Sequence, residues 1–282
     1  MKKKLPVVSV VITTKNEEKH ITDCLQSIKK QTYPVDKIEI IVVDNHSIDK
    51  TKIFAKKYTE KIYDCSPERS AQRNFGAKKS TGQYFLYLDA DMILSPGIIA
   101  EAVETMSKDE KIVGLYIPEI IMGDSYWSKV RRFERSFYDG TVIDAVRFIR
   151  LKDFLSVGGF DETMSGPEDW DLDKKIRQRG KTDLIQSPLY HNESEFNLHK
   201  YLQKKSYYAK SFNKYIKKWG KNDPDIKKQF GFWYRYFRVF VEDKKWKKLI
   251  KYPVLTLGMY YLKKLVGIKY ICQKIIDYKE YF

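Results

Sequence analysis

The most constraining feature of this chain is a short apolar run that ends in two aspartates. Residues 84–88 read YFLYL and predict a buried strand, and Asp89 and Asp91 follow it directly. Side chains alternate between the faces of a strand, so these two carboxylates are expected to project the same way. Ligands bind at the carboxyl ends of strands in open α/β sheets. The pattern therefore predicts an oxygen-rich site suited to a divalent metal that also carries phosphate oxygens.

An isolated Asp-x-Asp pair is often only a solvated loop, so the surrounding pattern decides. Residues 6–13 form a near-continuous β-branched run, typical of a strand covered on both faces, and residues 38–43 repeat that pattern. A helical pattern follows each strand, and the helix predicted at 69–79 leads into the strand before Asp89. This alternation predicts a parallel α/β sheet with helices on both faces. The polar residues at the strand ends are then expected to share one crevice.

Five sequence motifs occur together in the order and spacing of a known enzyme family. They are TTKNEE, VVDNHSIDKT, ERSAQRNFGAKKSTGQYFLYLDAD, VGGFDE and EDWDL, within residues 5–192. In these motifs the chain resembles the family 2 glycosyltransferases of the GT-A fold. The resemblance implies a mixed, mainly parallel α/β sheet and an enzyme that takes its sugar from a nucleotide-diphosphate donor.

The resemblance also implies which residues near the first strand ends bind the donor. Thr13 and Glu17 would line the base and ribose, and Asp44 would accept a hydrogen bond from the base edge. Asp89 would face the ribose or base. Arg73 would approach the nucleotide and its phosphates, because a guanidinium group matches phosphate geometry. The alternatives are helix capping for Asp44 and a solvated helix position for Arg73.

Asp91 is the metal ligand that the resemblance implies, with the cation bridging the two donor phosphates. Mn²⁺ or Mg²⁺ suits carboxylate and water ligands and would stabilise the departing nucleoside diphosphate. His191 follows a strand predicted at 182–185, and many family members place a histidine there, near the metal. An imidazole ligand would favour Mn²⁺ over Mg²⁺. A surface histidine without a ligand role is the alternative.

The acceptor side depends on residues 168–171, which read EDWD. The resemblance implies that Asp169 is the catalytic base of an inverting displacement, since one carboxylate must deprotonate the attacking hydroxyl. Glu168 would shape the acceptor site, and Trp170 would either stack on a sugar or fill the core. The alternative is that these acidic residues only favour the N-terminus of a helix.

The composition of the chain changes sharply near residue 195. Residues 1–195 are electrically balanced, whereas residues 196–282 contain 22 Lys and Arg against 6 acidic residues, and 22 of the chain's 41 aromatic residues. Basic charge interleaved with Tyr, Trp and Phe is typical of a segment that lies at a membrane surface. We therefore expect a catalytic domain at 1–195 and an amphipathic, helical, membrane-associating region at 196–282.

Apolar residues of this C-terminal region recur at helical spacing over 198–219, 225–241 and 246–267. The longest uncharged stretch, residues 252–262, is much shorter than the roughly 20 residues of a spanning helix, so none is predicted. The helices are expected to lie in the membrane interface, bound to anionic lipid. The alternative is that their apolar faces pack on the catalytic domain. No groove-reading motif occurs, so no nucleic-acid partner is expected.

Three cysteines, an odd number, predict a reducing compartment and no disulfide. The sequence thus predicts a cytoplasmic enzyme, peripheral on the inner face of the cell membrane. It would be a metal-dependent inverting transferase that moves a sugar to a hydroxyl of a membrane-held glycan, such as a polyprenyl-linked one. The family resemblance alone implies a UDP-sugar rather than a GDP-sugar as the donor. A polyprenyl-phosphate monosaccharide transferase, which needs no strong base, is an alternative. A non-catalytic membrane-bound scaffold that keeps the fold is another.

Overall fold

The computed structural model describes residues 5–65, 68–192 and 196–279. The described residues form two compact units. The first unit comprises those within Met1–Ile120, Asp144–Glu162 and Glu168–Asn192, and the second comprises those within Ile121–Ile143, Thr163–Pro167 and Glu193–Phe282. The second unit thus joins the C-terminal region to two earlier segments. The assignment of a catalytic and a membrane-associating domain stays a prediction.

The first unit is built on a mixed sheet. The strands, in chain order, are β1 (Val8–Thr14), β2 (Ile38–Asp44), β3 (Ile62–Asp64), β4 (Tyr84–Asp89), β5 (Met92–Leu94), β6 (Ile112–Tyr116), β7 (Glu119–Ile121), β8 (Phe148–Arg150), β9 (Lys181–Leu184) and β10 (Leu189–His191). Within the described residues, seven strands form one sheet in the order β3-β2-β1-β4-β8-β6-β9, and β5-β10-β7 form a small second sheet.

The pairing of β1 brings polar strand ends together. β1 is parallel to both β2 and β4, while β8 is antiparallel to β4. In this register Thr14 lies beside Asp44 and Thr13 lies beside Asp89. The carboxyl ends of three neighbouring strands therefore meet at one edge of the sheet, as the strand–helix alternation predicts.

Helices cover the strands and form most of the second unit. In chain order they are α1 (Ile21–Lys29), α2 (Thr51–Ala55), α3 (Arg69–Lys79), α4 (Ile98–Lys108), α5 (Tyr126–Arg135), α6 (Leu151–Ser156), α7 (Glu168–Arg177), α8 (Leu198–Ala209), α9 (Phe212–Trp219), α10 (Pro224–Phe230), α11 (Val239–Val241), α12 (Trp246–Lys251) and α13 (Pro253–Lys279). A π-helical turn spans Tyr234–Arg238, and 3-10 turns span Val35–Lys37 and Glu242–Lys244.

The sheet has a hydrophobic core on each face. Val8, Val10 and Ile12 of β1 pack into one core with α1 and α4, and Val11 packs into the other with α3, α6 and α7. Because both faces are covered, the strands are apolar throughout, not alternately polar. At Gly76, helix α3 lies so close to β1 that a Cβ atom would come within 2.3 Å of Val11 Cγ1.

The second unit has its own core, in which aromatic side chains from α5 and from the π-helical turn pack with α11 and α13. The helical run predicted over 198–219 is interrupted between α8 and α9 at Lys210–Ser211. The run predicted over 246–267 breaks at Tyr252, and Pro253 begins α13, where its missing N–H is not needed. No helix of the described residues combines the length and the apolar character needed to cross a membrane.

Candidate active site

Asp44 is fully buried at the end of β2 and anchors the turn that follows. One of its carboxylate oxygens accepts a hydrogen bond from Ser47 N at 2.6 Å, and the other accepts one from Ser47 Oγ at 2.6 Å. Ser47 Oγ in turn accepts a bond from Asn16 N at 2.8 Å, which ties this turn to the loop after β1. Asp44 thus closes a turn and does not cap α2. Its contact with a donor base stays a prediction.

Arg73 joins two carboxylates that are far apart in the sequence. Its Nη2 donates to Asp89 Oδ1 at 2.9 Å and its Nη1 donates to Asp169 Oδ1 at 2.9 Å. Thr13 Oγ1 also donates to Asp89 Oδ1, at 3.0 Å. The Arg73 side chain is only 1% exposed and lies over the ring of Tyr87, with Cζ 4.7 Å from the centroid. The solvated helix position considered for Arg73 is therefore wrong.

Arg69 and Glu168 extend this network. Arg69, one helical turn before Arg73, lies 3.5 Å from a carboxylate oxygen of Asp89 and 3.5 Å from one of Glu168. Burial, and next the charge of Asp169, raise the pKa of Glu168 to about 7 although both arginines oppose this shift. Its Oε2 is buried without a hydrogen-bond partner among the described residues. The motifs did not single out Arg69; its spacing of four from Arg73 was the available signal.

Asp91 and His191 lie beside each other, with Asp91 Oδ2 3.2 Å from His191 Nε2. Glu119 Oε1 lies 2.8 Å from the other ring nitrogen, and Arg147 Nη2 donates to Glu119 Oε2 at 3.3 Å. Burial opposes protonation of His191, but the hydrogen bonds to Asp91 and Glu119 raise its pKa to about 10. The His191 side chain is 14% exposed, so it is not a solvated surface histidine, and its role as a metal ligand stays a prediction. Sequence reasoning missed Glu119, which lies on a three-residue strand without a motif.

Negative charge accumulates where the first loop approaches these residues. Burial, followed by the charges of Asp91 and Asp89, raises the pKa of Glu17 to about 7. Such a raised pKa reports carboxylates that repel one another in a partly dry site. A bound cation would relieve that repulsion.

The residues at Asp91 fit a divalent metal. Asp91 Oδ1 is buried and has no hydrogen-bond partner among the described residues, so a hard oxygen donor is left over. An imidazole next to a carboxylate suits Mn²⁺, and Glu119 would orient His191 from behind. No group of three or more possible ligands is preassembled in the described part of the chain.

The loop of the VGGFDE motif, residues 157–162, is held by Asn74 on α3 and by Lys175 on α7, whose Nζ donates to Gly159 O at 2.9 Å. Asn74 Nδ2 donates to Phe160 O at 2.9 Å and to Glu162 Oε1 at 2.8 Å, and Asn74 Oδ1 accepts from Phe160 N at 2.8 Å. Gly159 has a φ of +65° and leaves no room for a Cβ atom beside Asn74. A cleft of about 420 Å³ lies along this loop. Trp170, on the first turn of α7, is half-buried.

Comparison with known proteins identifies the family. The family model described as Glycosyl transferase family 2 matches residues 9–159, more than half of the chain. The chain therefore belongs to glycosyl transferase family 2, and the resemblance seen in the five motifs is confirmed.

Several curated relatives match parts of the chain. The minor teichoic acid biosynthesis protein GgaB of Bacillus subtilis is 26% identical over 265 residues, which are 86% of this chain and 29% of GgaB. The glycosyltransferase AglE of Haloferax volcanii is 36% identical over 110 residues, 36% of each protein. The dolichyl N-acetyl-alpha-D-glucosaminyl phosphate 3-beta-D-2,3-diacetamido-2,3-dideoxy-beta-D-glucuronosyltransferase of Methanococcus voltae is 32% identical over 112 residues, 37% of this chain and 35% of that protein. The chain spans about a third of the length of these relatives.

Solved structures confirm the predicted GT-A fold. The mannosyltransferase PcManGT from Pyrobaculum calidifontis, in complex with GDP-Man and Mn²⁺, has a TM-score of 0.65 at 19% identity, covering 96% of this chain and 86% of that one. TarS of Staphylococcus aureus, in complex with UDP-GlcNAc, has a TM-score of 0.57 at 15% identity, covering 97% of this chain and 92% of that one. At such identities the likeness concerns the fold alone.

Proposed function

We propose that the chain is a metal-dependent, inverting glycosyltransferase that moves a sugar from a UDP-sugar to a hydroxyl of a membrane-held glycan. One observation carries the proposal: Arg73 binds Asp89 and Asp169 at 2.9 Å each, which joins a residue expected at the donor to the residue expected at the acceptor. The complexes of PcManGT with GDP-Man and of TarS with UDP-GlcNAc support a nucleotide-sugar donor.

Asp169 is the base in this proposal. Its side chain is 31% exposed, so an acceptor hydroxyl can reach it, whereas Glu168 is 2% exposed. Arg73 fixes one oxygen of Asp169, and the other oxygen would take the proton as the hydroxyl attacks the anomeric carbon. The attack and the departure of the nucleoside diphosphate form one in-line displacement with inversion.

Asp91 and His191 would hold Mn²⁺ or Mg²⁺. When bound, the cation would neutralise negative charge on the diphosphate leaving group. Thr13, Glu17, Asp44 and Asp89 would then bind the nucleoside, as the family resemblance implies.

Substitution of the base tests this assignment. A thermal-shift screen of nucleotide sugars with and without Mn²⁺ identifies the donor, since ligand binding raises Tm. Transfer from that donor to a lipid-linked glycan is then measured as release of the nucleoside diphosphate. Asp169→Asn should lower the turnover about a hundredfold or more while the donor-dependent rise in Tm persists. Asp183→Asn, on an exposed strand position, is the matched control and should keep wild-type turnover.

The same variant separates the alternatives. A phosphate acceptor needs no strong base, so near-normal transfer to polyprenyl phosphate by Asp169→Asn would establish the monosaccharide-phosphate alternative. If no nucleotide sugar raises Tm and none is turned over, the chain is a scaffold and the proposal fails.

The metal assignment has its own test. Asp91→Asn should abolish Mn²⁺-dependent donor binding in calorimetry. Asp64→Asn is the control, because Asp64 also ends a strand of the sheet but pairs with Lys52 at 3.0 Å. Equal donor binding by the two variants would refute the role of Asp91.

We also propose that the C-terminal region holds the protein on anionic lipid at the cytoplasmic face of the membrane. The second unit exposes many large apolar side chains within a basic segment. Examples are Trp233 at 74%, Leu257 at 73% and Ile250 at 71% exposure. Interfacial segments combine such apolar side chains with lysines that attract anionic headgroups. The name of the dolichyl-phosphate relative supports a lipid-linked acceptor.

Vesicle flotation tests the membrane proposal. Replacing Trp233, Ile250 and Leu257 together by serine should release the protein from vesicles that contain anionic phospholipid. Ile48→Ser, an exposed apolar position in the first unit, is the control and should leave binding unchanged. Retention of the triple variant on the vesicles would show that these side chains do not mediate attachment.

A further inference from the structure

The second unit contains a concentration of positive charge that the proposed transfer reaction does not use. Arg131 on α5 and Lys205 on α8 lie near the ring of Tyr201, at 4.8 and 5.3 Å from its centroid. Arg235 in the π-helical turn and Lys263 on α13 each lie 5.9 Å from the ring centroid of Tyr138. We call these four residues the basic cluster. Glu134, also on α5, is an acidic residue whose charge reaches both lysines. Lys205, Arg235 and Lys263 alone therefore carry more positive charge than this carboxylate neutralises.

Glu134 is already engaged by its own neighbours. Its Oε2 accepts a hydrogen bond from Arg131 Nη1 at 2.9 Å, and its Oε1 accepts one from Tyr138 Oη at 2.7 Å. Lys263 Nζ lies 3.7 Å from Oε1 and donates to Tyr138 Oη at 3.3 Å. Burial opposes ionisation of Glu134, but Lys263 and Arg131 lower its pKa to about 2. One ionised carboxylate is thus shared mainly by Arg131 and Lys263.

Lys205 and Arg235 have no carboxylate of their own within the described residues. The Lys205 ammonium lies 5.3 Å from the ring centroid of Tyr201, and the Arg235 guanidinium lies 5.9 Å from that of Tyr138. An aromatic face attracts a cation but does not accept its N–H bonds as an oxygen does. Arg235 Nη1 is buried and has no hydrogen-bond partner in the described part of the chain. Within the basic cluster, N–H donors of Lys205 on α8 and of Arg235 in the π-helical turn are therefore left without an oxygen acceptor among the described residues.

Lys205 and Lys263 lie in surroundings that disfavour their charged forms. Burial, and then the neighbouring Arg131, lower the pKa of Lys205 to about 8. Burial lowers the pKa of Lys263 to about 7, with Arg235 and Lys205 contributing in the same direction against Glu134. An anion placed among these groups would reverse both effects, because an opposite charge favours the charged form of lysine.

We propose that the basic cluster is a phosphate-binding site, in which Lys205, Arg235 and Lys263 donate hydrogen bonds to the phosphate oxygens. A guanidinium fork and two ammonium groups match the tetrahedral oxygens and double charge of a phosphate monoester. The phosphate belongs either to a lipid headgroup or to a soluble molecule. The site shares no residue with the donor site of the proposed function, and its test does not require glycosyl transfer.

Matched lysine pairs make the site testable with inorganic phosphate. On α13, Lys263 is buried and its neighbour Lys264 is exposed; on α8, Lys205 is half-buried and Lys204 is exposed. Phosphate is titrated against chloride at constant ionic strength, and Tm is measured for the full chain. Native protein, Lys264→Gln and Lys204→Gln should all show the same saturable rise in Tm. Lys263→Gln and Lys205→Gln should lose it, with phosphate bound at least about tenfold more weakly.

Three further results keep the test decisive. Arg235→Gln should also lose the rise in Tm, which covers the case in which one lysine variant does not fold. Asp91→Asn should keep it, so that phosphate at the donor site is not mistaken for phosphate at the basic cluster. Without phosphate, Lys205→Gln should be at least as stable as the native chain, because it removes an unpaired cation. The site would be refuted if phosphate gave no saturable rise in the Tm of native protein. It would also be refuted if the variants at Lys205 and Lys263 showed the same rise in Tm as their controls at Lys204 and Lys264.

Vesicles identify the source of the phosphate. Flotation with phosphatidylcholine vesicles is compared with and without phosphatidic acid, whose headgroup is a phosphate monoester. The site is assigned to a lipid headgroup if Lys205→Gln and Lys263→Gln bind phosphatidic acid vesicles more weakly than their controls, Lys204→Gln and Lys264→Gln. Equal vesicle binding, with the difference in the phosphate titration retained, assigns it to a soluble phosphate compound.

Discussion

Replacing Arg73 by methionine should destabilise the first unit strongly, because methionine fills a similar volume without the charge. The guanidinium makes hydrogen bonds of 2.9 Å to Asp89 and to Asp169, and its side chain is 1% exposed. Hydrogen bonds to charged groups contribute roughly 1.5–3 kcal/mol each. Asp89 is 19% and Asp169 31% exposed, so water replaces part of the interaction. We expect the free energy of unfolding to fall by about 3–5 kcal/mol.

Urea denaturation followed by tryptophan fluorescence measures this loss. Arg69→Met is the comparison, because Arg69 is 36% exposed and lies 3.5 Å from its carboxylates. Its removal should cost about 1 kcal/mol or less. The m-values of both variants should match that of the native chain, which would show that the same surface is exposed on unfolding. If Arg73→Met loses no more stability than Arg69→Met, Arg73 does not hold the two carboxylates together.

Three other outcomes can be checked. Burial raises the pKa of Asp173 to about 6 although Arg177 opposes this shift, so the folded chain holds a proton that the unfolded chain releases near pH 4. The free energy of unfolding should therefore fall by about 2 kcal/mol between pH 4.5 and 7. Asp173→Asn should remove that fall, which is measured as the difference between the urea curves of the variant and the native chain. Gly76→Ala should cost about 1–3 kcal/mol in the same assay despite alanine's higher helix propensity, because its Cβ would lie 2.3 Å from Val11 Cγ1. Glu119→Gln should weaken Mn²⁺-dependent donor binding about tenfold in calorimetry, since Glu119 orients His191.

The strand ends were predictable because their signals are local. A buried strand followed by polar residues specifies both the sheet edge and the residues on it, and Thr13, Asp44 and Asp89 lie where that pattern indicates. The pairing of Asp44 with Ser47 has a local signal as well, since serine three residues after aspartate favours a turn. The same sequence pattern is therefore consistent with Asp44 closing a turn and with Asp44 binding a donor base, and the hydrogen bonds in the structure show only the turn.

Long-range partners were not predictable from the sequence. Arg73 and Asp169 are 96 residues apart, and nothing in either motif indicates that they pair. Glu119 lies 72 residues from His191, on a strand too short to show periodicity. The basic cluster draws its residues from four separate elements, and Arg131 lies outside the lysine- and arginine-rich residues 196–282, so the sequence does not indicate that the four come together. Tertiary packing decides which of these charges become neighbours.

The missing side chain at Gly76 has a consequence for Arg73, three residues earlier on the same helix. Because Gly76 carries no Cβ atom, the backbone of α3 packs close to the side chain of Val11 on β1. This close packing sets the position from which the Arg73 guanidinium reaches Asp89 and Asp169.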